Sequence, residues 1–253
     1  MKRTIAKNTE ETNMFTPTTF QSSQRHSRVD ESSLCDRWGV SVAHAKLTLK
    51  ATTKKYVRTA LLPLAQQYRV DCMFGHKMFN AHVYTDTMDA RVASIHGNRY
   101  GQVFATKDYF VNVYPIKKKS NCGDGISEFI TDYGVPLKMT FDGSKEQTMS
   151  GTYFMKKICK YDINYHRPKP DRPNKNPAEG VIRELRRKWF QMMVQKRVTR
   201  RLWDYGSCHA CKVMHHTASH LGRLNCRTPV EFITGDIPNI NELPDFTFYD
   251  QCW

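Results

Sequence analysis

The sequence lacks any apolar run long enough to cross a membrane. Its first thirty residues also lack the hydrophobic segment of a secretory signal peptide. We therefore expect an intracellular protein without a membrane partner, located in the nucleus or cytoplasm and not secreted. No internal repeat is visible.

Closely spaced cysteines of the kind found in small disulfide-linked domains are also missing. The eight cysteines are scattered through 253 residues, which favours reduced thiols in a cytosolic or nuclear protein. They are Cys35, Cys72, Cys122, Cys159, Cys208, Cys211, Cys226 and Cys252.

Acidic residues are scarce: 24 Asp and Glu stand against 39 Lys and Arg, for a net charge of +15. Residues 167–201 contain twelve Lys or Arg and three Asp or Glu, a net charge of +9, whereas residues 202–253 have a net charge of −3. A positive charge that served only solubility would not need to be concentrated in this way. The distribution predicts a nucleic-acid partner.

Four segments follow from composition and patterning. Residues 1–33, with eleven Ser or Thr, are predicted to be a disordered tail. Residues 34–82 are predicted to be a short helical linker that ends in a connector from residue 71. A core domain is expected over residues 83–221, and an irregular segment over 222–253 closes it.

The core alternates short β-rich runs with amphipathic helices, which predicts a mixed α/β fold with a five-stranded sheet. The first three strands are expected to be antiparallel and the later ones to add in parallel. Strands are predicted over 82–88, 101–105, 109–114, 137–141 and 163–166. Helices are predicted over 123–133, 152–161, 177–196 and 201–221.

Three carboxylates suit two-metal phosphoryl chemistry, which needs hard oxygen ligands around two cations about 4 Å apart. Asp86 lies within the first strand, Asp142 follows the fourth, and Glu179 opens the long basic helix. Between Asp142 and Glu179 lie 36 residues.

These residues stand in motifs that together resemble the integrase core of copia-type LTR retrotransposons. The motifs are YTDTM around Asp86, TFDGSKEQ around Asp142 and NKNPAEGVIRELRRKW around Glu179. Downstream, RTPVEFITGDIPNI at residues 227–240 is similar to the segment that closes this family's core. The resemblance covers roughly residues 83–240.

The resemblance implies an RNase H-like fold and a catalytic Asp-Asp-Glu triad at Asp86, Asp142 and Glu179. It also implies Mg²⁺ or Mn²⁺, as two ions, at these carboxylates. The expected activity is end processing and strand transfer on DNA, with element ends and target DNA as partners and a homo-oligomer as the working form. Family members place an Asn shortly before the Glu, and Asn176 matches it.

Each carboxylate also has a purely structural interpretation. Asp86 could be an edge residue of a strand, and Asp142 with the glycine after it is a turn signal. Asn176, Pro177 and Glu179 fit N-cap, N1 and N3 of a helix. Their joint occurrence at the family's spacing, beside a basic segment, favours the active site.

Some features depart from the family and keep a second function open. The second motif carries Lys145, and the amino-terminal zinc module is reduced to His44, Cys72 and His76 without a CxxC. The family's carboxyl-terminal extension is missing, so a polyprotein fragment or a decayed copy is expected. The alternative is an inactive integrase-like relic that only binds nucleic acid; another RNase H-like nuclease would need a fourth acidic ligand.

Two further clusters allow competing interpretations. On the long helix, the basic residues are predicted to contact phosphates, whereas the interleaved Trp189, Phe190, Met192 and Met193 are assigned to the core. The basic residues are Arg183, Arg186, Arg187 and Lys188. Cys208 and Cys211 form a CxxC near several histidines, but they fit the apolar pattern of a helix and no second CxxC is near, so no stoichiometric zinc is expected.

Overall fold

Five strands form one mixed sheet in a computed structural model of the chain, in the order β3-β2-β1-β4-β5. The structure describes residues 29–53, 78–141, 144–166, 177–220, 222–235, 237–240 and 248–249. The strands are β1 (Met78–Asp89), β2 (Tyr100–Ala105), β3 (Val111–Ile116), β4 (Val135–Phe141) and β5 (Asn164–His166).

The pairing confirms the predicted change from antiparallel to parallel strands. β1 pairs with β2 and β2 with β3 in antiparallel fashion, whereas β4 lies parallel to both β1 and β5. The β2–β3 hairpin closes through the Thr106 N–H, which donates to the Phe110 carbonyl oxygen at 2.8 Å. Tyr109 adopts a left-handed conformation (φ 62°), so β3 begins at Val111 and not at residue 109.

β1 begins at Met78, before the predicted start of the strand at residue 82 and of the core domain at residue 83. The connector predicted over 71–82 is therefore partly strand. The pairing of β1 with β4 shifts register between Phe79 and His82. A register shift interrupts the alternation of inward and outward side chains, which explains why the sequence pattern hides this part of the strand.

Helices cover both faces of the sheet, as their amphipathic patterns predict. α3 (Cys122–Tyr133) and α5 (Tyr153–Lys160) pack on one face, and α6 (Pro177–Gln195) and α7 (Trp203–His216) on the other. A short helix, α4 (Lys145–Thr148), follows β4. None of the helices in the described ranges combines the length and hydrophobicity that crossing a membrane requires.

Each face of the sheet has its own core. Phe104, Phe129 and Phe154 are fully buried between the sheet and the α3–α5 layer. On the other face, Leu185 of α6 and Trp203 of α7 are fully buried against the sheet. Gly206 lets α7 approach α6 closely, because a Cβ there would lie 3.0 Å from Cδ1 of Trp189.

Two amino-terminal helices, α1 (Glu31–Trp38) and α2 (Val42–Ala51), pack against the outer side of α7. The Asp30 carboxylate caps α1 by accepting the Ser33 N–H at 2.8 Å, and Val29 is buried. Residues 29–33 of the predicted tail are therefore structured. Residues 1–28 of that tail and 54–77 of the linker lie outside the described residues.

The segment after residue 222, predicted to be irregular, contains a short helix, α8 (Pro229–Thr234). The Thr228 hydroxyl accepts the Glu231 N–H at 3.2 Å, and Gly235 ends the helix in a left-handed conformation. Only six residues are helical, too few for a periodic sequence signal, and this explains the difference.

Candidate active site

Asp86 lies on the face of the sheet that α6 covers. In β1 it pairs with Val103 of β2. It lies two positions from both Tyr84 and Met88, so it shares the face on which their side chains are buried against α6 and α7. The side chain is half-buried. Its Oδ1 accepts the Thr87 N–H at 2.7 Å, which fixes the carboxylate close to its own backbone.

Behind Asp86, on the opposite face of the sheet, buried polar side chains form a connected network. The Thr87 hydroxyl donates to Oε1 of Gln102 at 2.8 Å, and Nε2 of Gln102 donates to the Thr85 hydroxyl at 2.5 Å. The Thr85 hydroxyl in turn donates to the Val103 carbonyl oxygen at 2.8 Å. Both neighbours of Asp86 are thus anchored to β2, which holds this part of β1 rigid.

The same network reaches the segment after β4. Nε2 of Gln147, in α4, donates to the Thr87 hydroxyl at 3.4 Å, while Oε1 of Gln147 is buried without a hydrogen-bond partner among the described residues. Gln147 stands five positions after Asp142 in the chain. Neither Gln102 nor Gln147 could be predicted from sequence, because a lone Gln in a strand or a short helix gives no signal of burial.

Glu179 lies in the first turn of α6, on the same side of the sheet as Asp86. It is exposed, and the buried residues that follow it, Val181, Ile182 and Leu185, share a core with Tyr84 and Met88 of β1. The helix begins at Pro177, as predicted. Asn176, which the sequence assigns to the N-cap, lies outside the described residues.

Asp142 also lies outside the described residues, so the triad is seen only in part. Phe141, the residue before it, pairs with Thr85, the residue before Asp86, and β4 runs parallel to β1. The described ranges contain no group of three His, Cys, Asp or Glu side chains that could hold a metal. Asp86 and Glu179, the two triad members that are described, offer carboxylate oxygens, the donors that Mg²⁺ and Mn²⁺ prefer.

Glu184 points away from Glu179 and pairs with an arginine of the same helix. Five residues advance about 500° along a helix, so the two side chains diverge by roughly 140°. Glu184 forms an ion pair with Arg187, and Nε of Arg187 donates to Oε2 of Glu184 at 3.2 Å. This hydrogen bond holds the pKa of Glu184 below its ordinary value. Glu184 is thus neutralised by Arg187 on α6.

The four basic residues predicted to contact phosphates do not share one side of α6. Arg183 and Arg186, both exposed, follow Glu179 by four and seven residues, within about 40° of its direction. Lys188 follows it by nine residues, about 900°, and so points to the opposite side. Lys188 is half-buried, and burial lowers its pKa to about 8.

The side of α6 with Lys188 faces a cavity of about 320 Å³. Glu184, Arg187 and Lys188 line it together with the turn between α1 and α2, where the Ser41 hydroxyl lies 2.8 Å from Nδ1 of His44. The basic run of α6 therefore divides between the surface beside Glu179 and an open cavity beside the α1–α2 turn.

Cys208 and Cys211 both point from α7 towards the sheet. Cys211 is buried, and the Cys208 thiol donates to the Val113 carbonyl oxygen at 3.5 Å. Burial raises the pKa of Cys208 to about 11, which disfavours the thiolate that a zinc ion needs. The absence of zinc at this pair stays a prediction. Cys72 and His76, which the sequence offers in place of a zinc module, lie outside the described residues.

Phe190 is where the side-chain assignment from sequence is wrong. Trp189, Met192 and Met193 lie on the buried side of α6, whereas Phe190 is 60% exposed. Phe190 follows the buried Leu185 by five residues, about 500°, so it cannot share the inward direction. Apolar character alone suggested burial, and helix geometry opposes it.

No protein-family model matches the chain. No curated protein matches it either. Among solved structures, the fold is similar to a chain of the cryo-EM structure of the simian T-cell lymphotropic virus intasome in complex with PP2A regulatory subunit B56 gamma. The TM-score is 0.50 at 13% identity, over 84% of this chain and 74% of that one.

A second likeness, with a TM-score of 0.47 and 13% identity, is to the HTLV-2 integrase catalytic core domain in complex with magnesium in its trimeric form. It covers 62% of this chain and 99% of that one. At such low identity the comparisons concern the fold alone. The mixed sheet, its strand order and the intasome likeness together show the α/β, RNase H-like fold that the sequence predicts, a five-stranded mixed sheet flanked by helices.

Proposed function

We propose that this chain is the integrase core of a copia-type LTR retroelement, which processes DNA ends and transfers them to target DNA. One observation carries the proposal: Asp86 of β1 and Glu179 of α6 lie on the same side of an integrase-like sheet. Asp142 directly follows β4, the parallel neighbour of β1. The family motifs around all three residues point to the same set.

In this proposal Asp86, Asp142 and Glu179 hold Mg²⁺ or Mn²⁺, as two ions. When bound, such ions activate the attacking oxygen and neutralise charge on the phosphate. The hydrogen bond from the Thr87 N–H and the polar network behind β1 would keep the Asp86 carboxylate in one orientation. A rigid ligand set is what fixed metal geometry requires.

The chemistry needs no covalent link to the protein. An oxygen of water, or of a DNA 3′-hydroxyl, attacks phosphorus in line and forms a new P–O bond. The P–O bond to the departing 3′-oxygen breaks, the attacking oxygen loses its proton, and the departing oxygen gains one. Arg183 and Arg186 are exposed beside Glu179, and we assign them to the phosphates that flank the reacting one.

The partners proposed are element-end and target DNA, bound by a homo-oligomer. The net charge of +15 and the exposed arginines of α6 support the DNA partner. The oligomer rests on the sequence resemblance alone. A DNA substrate would place the protein in the nucleus or cytoplasm.

A second function, an inactive relic that only binds nucleic acid, is favoured by the departures in the second motif. Lys145 is exposed in α4, three residues after Asp142, where it adds positive charge beside the proposed metal ligands. DNA binding without any metal-dependent cleavage or joining by the unaltered protein would select this alternative.

A strand-transfer assay with Mn²⁺ and duplex DNA ends tests the proposal. Asp86→Asn and Glu179→Gln should each lower activity by roughly a hundredfold or more, because each removes a charged metal ligand worth several kcal/mol. Glu184→Gln is the matched control on the same helix and should retain most activity. Full activity of Glu179→Gln, or loss only in Glu184→Gln, would contradict the assignment.

A further inference from the structure

The carboxyl-terminal half of α6 exposes apolar side chains. Phe190 is 60% exposed and Val194 is 58% exposed. They line a groove of about 470 Å³, to which Trp189 and Met193 also contribute. We call it the Phe190 groove. Exposed apolar surface of this kind, concentrated in one groove, is typical of a binding site.

Arginines surround this apolar groove. Arg91 comes from the loop after β1, and Arg197 and Arg200 come from the turn after α6; all three line the groove and are exposed. Within the described ranges none of them forms an ion pair, and no carboxylate lines the groove. The groove therefore combines uncompensated positive charge with an accessible aromatic ring.

The carboxyl-terminal cap of α6 positions Arg197 at the groove. The Val198 N–H donates to the Met193 carbonyl oxygen at 2.9 Å, and the Arg197 N–H donates to that of Val194 at 3.1 Å. This pattern is a Schellman motif, whose left-handed residue is usually Gly. Here that residue is Arg197, with φ 50°. An arginine held where glycine fits more easily gives the groove a side chain that a glycine would not.

The groove continues the proposed active-site surface along α6. Phe190 follows Glu179 by eleven residues, about 1100°, so the two side chains point within roughly 20° of each other. They are about 16 Å apart along the helix axis, which corresponds to about five nucleotide steps. Arg183 and Arg186 lie between them on the same side.

We propose that the Phe190 groove binds an unpaired base of a nucleic-acid strand that extends from the reacting DNA end. The base stacks on Phe190, and the phosphates on either side of it contact Arg91, Arg197 and Arg200. Aromatic rings flanked by positive charge are the recurring platform for single-stranded nucleic acid. The location of the reacting end rests on the proposed function.

Charge selects this occupant over another copy of the chain. A second copy carries a net charge of +15, which disfavours its insertion between three arginines. An acidic peptide shares the anionic character but offers no regular alternation of flat rings and phosphates. Binding of an acidic peptide is one result that the experiment below can distinguish.

Fluorescence anisotropy in EDTA compares a blunt DNA duplex with the same duplex carrying a six-nucleotide single-stranded extension. The unaltered protein should bind the extended duplex about tenfold more tightly, and Phe190→Ala should remove that preference while leaving blunt-duplex affinity unchanged. Phe190→Trp should restore the preference. Arg197→Gly, which suits the left-handed turn, should fold normally and weaken binding of the extended duplex.

Leu137→Ala is the matched control, because Leu137 is an exposed apolar residue of β4 outside the groove. Equal affinity of the unaltered protein for the two duplexes would overturn the inference and leave the proposed function standing. An equal loss of affinity for both duplexes in Phe190→Ala would also overturn it. So would binding of an acidic peptide, in place of the single-stranded extension, in the groove. Failure of the Mn²⁺ assay, with the extension preference intact, would affect the proposed function alone.

Discussion

The two sides of helix α6 carry similar residues in very different surroundings. On one side Glu179, Arg183 and Arg186 are exposed, and the Phe190 groove continues the same surface. On the other side Glu184 pairs with Arg187, and the half-buried Lys188 lines a cavity shared with the α1–α2 turn. A single basic run in the sequence is thus two structural features.

Net charge alone therefore does not assign a binding partner to each basic residue of α6. Burial lowers the pKa of Lys188 to about 8, so its ammonium is held at a cost and has little access to a phosphate. Arg183 and Arg186 are exposed and can reach a phosphate from solvent. We therefore assign DNA contact to the Glu179 side and expect the Lys188 side to serve the packing of α6 against the amino-terminal helices.

The largest effect expected from this comparison is on DNA affinity. Replacing Arg183 and Arg186 together with Ala should flatten the slope of log affinity against log salt by about 2, because two phosphate contacts are lost. At 0.1 M salt this corresponds to roughly fiftyfold weaker binding. Anisotropy titrations of a duplex at several salt concentrations measure the slope.

The matched control removes the same charge from the other side of the helix. Arg187→Ala with Lys188→Ala should leave the slope nearly unchanged. If both double variants flatten it equally, the basic run acts through its net charge alone, and the division of the helix into two sides has no meaning for binding.

A smaller effect is expected on stability, through Lys188. Its pKa is about 8 in the folded protein and near 10.4 in the unfolded chain, so the unfolded chain binds more protons between these values. Stability should consequently rise as the pH increases from 8 to about 10.5. Lys188→Met should abolish this rise and raise the free energy of unfolding at pH 7 by about 2 kcal/mol.

Urea unfolding of both proteins at a series of pH values measures the effect. Arg183→Met is a suitable control, since Arg183 is exposed and should change stability little at any pH. An equal dependence on pH in the Lys188→Met variant and the parent would show that Lys188 is hydrated like a surface lysine.

Much of the fold could be predicted because its signals are local. Alternation in β1, the hairpin after β2 and the helical period of α6 each appear within a short window of sequence. The amino-terminal part of β1 was missed because a register shift at Phe79–His82 breaks the alternation. Helix α8 was missed because six residues are too few to show a period.

In the candidate site, too, some residues could be predicted from local sequence and others could not. Asp86 and Glu179 were identified from motifs and spacing, and both lie on the α6 side of the sheet. The Gln102–Thr87–Gln147 network could not be foreseen, because it joins residues distant in the chain whose side chains give no sign of burial. Phe190 was assigned to the core because hydrophobicity was given more weight than helix geometry.

Metal binding tests the proposed ligand set whether or not the protein is active. Calorimetric titration with Mn²⁺ compares the parent protein with Glu179→Gln and Glu184→Gln. We expect Glu179→Gln to weaken binding roughly tenfold or more, because it removes a charged ligand, and Glu184→Gln to bind like the parent. Unchanged affinity in Glu179→Gln, or a loss confined to Glu184→Gln, would contradict it.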